Sequence, residues 1–95
     1  MKRFVLMHVG FERLTPEIMA KWRTWFASIA DRTVENIGLR AAREISKTGA
    51  KDLAFGLDAL TGMTIINAED MEEAESLAGA CPFISSIRIY EVAAH

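Results

Sequence analysis

The sequence predicts an α+β domain whose elements run strand–helix–strand–strand–helix–strand, and three observations carry that prediction. Two segments open with helix-capping residues, Thr15-Pro16-Glu17 and Asp70-Met71-Glu72-Glu73. Apolar residues then recur at three- and four-residue steps after each start, and alternate elsewhere. The chain has 95 residues, 51% of them hydrophobic. That is the size of one small domain with enough apolar mass for a core without metal or disulfide staples, so residues 1–95 are read as a single domain. A domain this small buries only about two-thirds of the surface of its unfolded chain, and self-association would add to that burial.

Phe4 to Val9 reads as the first strand, with Phe4, Leu6 and His8 on one face and Val5, Met7 and Val9 on the other. Both faces are largely apolar, the pattern of a central strand. The opening Met1-Lys2-Arg3 has the charge of a signal peptide. Its apolar run is short, contains His8, and leads to Gly10-Phe11-Glu12-Arg13 with no small-residue cleavage site. The first helix starts at Thr15, a hydroxyl cap, followed by proline where no amide hydrogen is needed and by a carboxylate at the positive end of the dipole. Ile18, Trp22, Trp25, Ile29 and Thr33 form its stripe, with Met19, Phe26, Ala30 and Ile37 beside them. Asn36-Ile37-Gly38 is expected to end it, Gly38 taking the left-handed conformation.

Leu39 to Ser46 is read as the second strand, Ala41, Arg43 and Ile45 alternating with Arg40, Ala42 and Glu44. Lys47 to Gly56 is read as a long hairpin loop or flap. The third strand runs from about Leu60 to Asn67. Asp70 caps the second helix with Glu73 three residues on. Met71, Ala74, Leu77 and Ala78 form its stripe, and Gly79 and Pro82 stop it. Phe83 to Val92 is the last strand, with Ile87 and Ile89 on one face and Arg88, Tyr90 and Val92 on the other. This order is the split βαβ arrangement of ferredoxin-like domains, a four-stranded antiparallel sheet with two helices on one face. The other face would be open and substantially apolar, and is expected to pair two copies as a homodimer.

The net charge of −2 and a pI near 5.6 argue against a nucleic-acid surface. RNA-binding domains of this strand order stack bases on aromatic residues, whereas the third strand here reads Met63-Thr64-Ile65-Ile66. A lone cysteine, Cys81, excludes an intrachain disulfide and suits a reducing cytoplasm. At the negative end of a helix it is disfavoured as a thiolate and is read as structural. No apolar run approaches the length of a membrane span. His8 and His95 have no ligand spacing, and Glu69, Asp70, Glu72, Glu73 and Glu75 read as a solvated helix face, so no metal or other cofactor is expected. No dinucleotide, phosphate-loop, nucleophile-elbow or Cys-x-x-Cys motif occurs.

Four side chains are candidates for chemistry. His8 titrates near neutrality on an otherwise apolar strand. It reads either as a general acid or base, or as a buried histidine bonded to backbone or to a loop carboxylate. Trp22 and Trp25 share the helix face that covers the sheet, either as core or as a ligand wall. Arg43 alternates with Ala41 and Ile45. If inward-facing, it suits a carboxylate or phosphate, as does Arg40 on the same strand; otherwise these arginines form a salt bridge with Glu44, Glu91 or Asp58 or lie on a solvated edge, and Arg43 is the one expected to matter.

The segment Leu60-Thr61-Gly62-Met63-Thr64-Ile65-Ile66-Asn67-Ala68-Glu69-Asp70-Met71-Glu72-Glu73-Ala74 resembles the third strand and second helix of YCII-related proteins. The Ala-x-x-Cys-Pro of Ala78 to Pro82 and the later Ser-Ile-Arg-Ile-Tyr-Glu-Val resemble them too, and the likeness of element order covers nearly the whole chain. The resemblance implies a dimeric α/β barrel with a small pocket, and, in some members, hydrolase- or lyase-like chemistry on a histidine with an acidic partner. The sequence departs from that pattern in two places. Trp25 stands where some relatives carry the first-helix histidine, and Ala50-Lys51-Asp52-Leu53 replaces the Asp-Gly-Pro-Phe motif of one branch. Two readings follow. One is a small-molecule-binding domain or enzyme, with a pocket between the first helix and the sheet, holding a small organic acid with His8, Trp22, Trp25 and Arg43. The other is a non-catalytic dimeric binding or accessory module.

Overall fold

A computed structural model describes residues 1–93; Ala94 and His95, and with them the expectation for His95, lie outside the described residues. The elements are β1 (Lys2–Val9), α1 (Pro16–Ser28), β2 (Thr33–Gly38), β3 (Ala42–Ser46), β4 (Gly49–Leu53), β5 (Leu60–Ala68), α2 (Met71–Gly79) and β6 (Ser86–Glu91). They build an α+β fold with two helices, an antiparallel four-stranded sheet in the order β2-β5-β1-β6, and a separate β3–β4 hairpin.

Both helix starts form as their capping residues predict. Thr15 accepts the Ile18 amide at 3.2 Å, with Pro16 at the first helical position. Asp70 accepts the Glu73 amide at 2.9 Å, and the Glu73 carboxylate reaches back to the Glu69 amide at 2.9 Å. That carboxylate also pairs with Arg32, which ties the entry to β2 onto α2. The guanidinium and the backbone amide hold Glu73 below the usual carboxylate range.

The expected second strand is corrected. The helix ends at Ser28, and the strand beside β5 is Thr33–Gly38, not Leu39–Ser46. Thr33 and Ile37 therefore do not belong to the helical stripe, and Gly38 closes a strand without a positive φ. The Ile29 carbonyl accepts the amides of Arg32 and Thr33 and the Thr33 hydroxyl, at 2.9–3.0 Å. The last helical turn is thus closed without a glycine. β-branched Thr33, Val34 and Ile37 then suit the strand that follows. Residues 39–56 form the stems and strands of the hairpin, with Gly49 at φ +126° after the Lys47-Thr48 turn.

The core lies on one side of the sheet. Phe4, Leu6, Ile66 and Ala68 pack against Trp25 and Ile29 at α1 and against Ala74 and Ala78 of α2. On the opposite side Val5, Met7, Met63 and Ile65 are half-buried, with exposed Arg88 and Tyr90 beside them. Cys81 is buried, and burial pushes its thiol up to about 12, consistent with a structural role. No described helix is long and apolar enough to cross a membrane.

Candidate functional site

Between α1, the end of β2 and the stems of the hairpin lies an open cleft of about 910 Å³. Its walls are predominantly apolar: Phe11, Met19, Trp22 and Phe26 on one side, Leu39 and Phe55 on the other. Phe11 and Phe55 stack 4.3 Å apart, so the loop after β1 meets the hairpin stem at the rim. The sheet provides the floor through His8, Gly62 and Thr64.

Local irregularity in the sheet sets this floor. β1 and β5 lose their register between His8 and Val9, which leaves Thr61 as an extra residue on β5. Its hydroxyl satisfies the carbonyls of His8 and Gly10, at 3.3 and 3.1 Å. Gly62 lies opposite His8. A Cβ there would stand 3.2 Å from the Ile37 carbonyl and 3.5 Å from His8 Cδ2, so the glycine eases the approach of the β2 backbone, the imidazole being at ordinary contact distance.

His8 is 92% buried by its 8% exposure, and its Nε2 lies 2.8 Å from the Thr64 hydroxyl. Among the described residues that hydroxyl has no other partner. Donation by Thr64 to Nε2 satisfies both groups and leaves the ring proton on Nδ1. Nδ1 is buried with no hydrogen-bond partner. An orphaned buried donor costs about 1–3 kcal/mol. The indoles of Trp22 and Trp25 flank the ring edge-to-face, at 5.4 and 5.7 Å between centroids.

The four sequence candidates separate. His8 and Trp22 come together at the cleft. Trp25 does not line it: the residue is 3% exposed, and its indole N–H donates to the Leu77 carbonyl of α2 at 3.0 Å. Arg43 is also outside the lining, exposed on the hairpin and paired with Asp52 at 2.8 Å. The basic residues that do line the cleft are Arg23, to which the sequence assigns no role, and Arg40, which it offers beside Arg43. Arg40 was assigned to a strand that belongs to another stretch of chain.

Burial lowers the His8 pKa from its ordinary 6.5, so the imidazole is neutral at pH 7. Well above pH 6.5 neither folded nor unfolded chain carries the proton, and His8 adds no pH dependence. Below it the unfolded chain takes up a proton that the folded one resists, so stability falls as pH falls toward the lowered value. The slope is at most about 1.4 kcal/mol per pH unit. Denaturant titrations at pH 7 and pH 5.5 should therefore show a loss in the natural chain that is smaller in His8→Gln. An equal loss in both would remove His8 as its source.

Comparison of the chain with family models, curated proteins and solved structures gives no match.

Proposed function

We propose that this chain is a small-molecule-binding domain, and that the cleft beside α1 is its binding site. The observation that carries this reading is the large, predominantly apolar cleft itself, with buried His8 and its hydrogen-bonded Thr64 on the sheet side of it. Ligand sites usually combine apolar walls with a few placed polar groups. Binding is favoured over hydrolase- or lyase-like proton transfer because the histidine is oriented by a neutral hydroxyl, with no carboxylate bonded to it among the described residues. A catalytic imidazole is more often held by an acidic partner.

The strand order β2-β5-β1-β6, with both helices against one face, supports a ferredoxin-like domain related to YCII proteins. The half-buried Val5, Met7, Met63 and Ile65 on the other face support a homodimer of the α/β-barrel kind. A monomer in sedimentation at micromolar concentration would remove the dimer and leave the cleft.

The binding reading is tested by thermal shift against a panel of carboxylic acids and their neutral alcohols. A ligand at about a hundred times its Kd stabilises the native state by about 2.7 kcal/mol. For a domain of this size that corresponds to a rise in Tm of roughly 10 °C or more. The rise should be absent in Trp22→Ala. A panel with no effect on the natural chain overturns the proposal.

A further inference from the structure

The cleft is apolar along its length but not at its edge. Arg23 of α1 and Arg40 of the hairpin stem both line it, against one carboxylate, Glu12. Both arginines are exposed, and among the described residues neither forms an ion pair or a side-chain hydrogen bond. Arg32 and Arg43 are each committed to a carboxylate, whereas Arg3, Arg13 and Arg88 are as unpaired as the lining pair among the described residues but lie outside the cleft. The two lining arginines thus have free planar donor sets on the exposed part of the lining. That is the geometry guanidinium groups offer to an incoming carboxylate.

The floor has the opposite character. His8 is kept neutral by burial, and the groups around it are Thr64, Gly62 and the indoles. A carboxylate driven down to this floor would lose its water and gain no cation, which a single neutral hydrogen bond does not repay. An uncharged, apolar end of a ligand meets no such loss there. The length of apolar wall between floor and rim then requires an apolar body on the ligand.

Resting on the reading of the cleft as a binding site, we propose that its ligand class is an amphipathic carboxylic acid. The carboxylate is held at the rim by Arg23 and Arg40, and the apolar body lies along Trp22, Phe26, Leu39 and Phe55 toward His8. Orientation is therefore head-out. The small, compact organic acids suggested by an arginine deep in the site are poor ligands, because they cannot reach wall and rim together.

Calorimetric titration of the natural chain with decanoate, decanol and decylamine tests this, with the Arg23→Gln/Arg40→Gln variant in parallel. Both replaced side chains are exposed and unpaired, so the variant retains its fold, and its Tm reports that directly. Decanoate should bind at least ten-fold more tightly than decanol, and decylamine most weakly. The double variant should lose the preference for decanoate while keeping its affinity for decanol. Added salt should weaken decanoate and leave decanol unchanged. Decanol or decylamine binding as tightly as decanoate overturns the head-out acid and leaves the cleft reading standing. Binding of none of the three overturns both. Preference for decanoate that survives the double substitution removes the arginines as its source, and with them the proposal.

Discussion

Gly10→Ala is expected to cost about 3–5 kcal/mol, a large share of the roughly 5–15 kcal/mol that stabilises an ordinary domain. Two costs coincide at this position. Gly10 sits at φ +115°, where a side chain adds about 1–3 kcal/mol of strain. Its new Cβ would also stand 2.6 Å from Ser85 Oγ and 2.9 Å from the Ser85 amide nitrogen. Ser85 cannot easily retreat, because its amide donates to the Val9 carbonyl at 3.1 Å and its hydroxyl to Leu57. Thermal unfolding should show Tm falling by roughly 15 °C. Gly38→Ala is the matched control, since its Cβ meets nothing within 4 Å and its φ is not positive. A Gly10→Ala variant within 1 kcal/mol of the natural chain would contradict this account of the β1 exit.

The two tryptophans should respond in opposite ways. Trp25→Ala empties the centre of the core and strands a carbonyl in the last turn of α2, for which about 3–5 kcal/mol is expected. Trp22 is only partly buried, and its loss should cost about 1–2 kcal/mol while removing a wall of the cleft. Denaturant midpoints and ligand-induced thermal shifts, measured on both variants, separate the roles. Trp25→Ala should be the less stable protein, and Trp22→Ala the one that no longer responds to ligand. If Trp22→Ala keeps the full response, Trp22 is core alone.

Local chemistry made much of this structure readable in the sequence. Thr15 and Asp70 bond their own helix starts within three residues, so no distant contact was needed to place α1 and α2. The alternation of Phe4, Leu6 and His8 fixed which face of β1 they share, and His8 lines the cleft on that face. The second strand was not readable. Ile29, Thr33 and Ile37 continue the four-residue spacing of α1, and no glycine or proline interrupts them before Gly38. What breaks the helix is the turn closed on the Ile29 carbonyl and the pairing of Thr33–Gly38 with β5, a contact between distant parts of the chain. The error carried into the site. Placing the strand at 39–46 aimed Arg43 inward, when that residue stands on the hairpin and Arg40 lines the cleft.

The β3–β4 hairpin carries a consequence for how such a protein can diversify. Every residue of both strands is exposed, and the core cluster includes none of them. A two-stranded hairpin adds little stability of its own in water. Yet its stems, through Leu39, Arg40, Ala41 and Phe55, shape one wall of the cleft. Changes of length or sequence in this arm are therefore felt at the opening and scarcely at all in the interior. Most enzymes and receptors trade durability against new specificity within the same residues. Trp22 and Phe26 serve both cleft and core, but the wall supplied by the hairpin lies on chain that the core does not include, so change there can reshape the opening while the interior stays under its own selection.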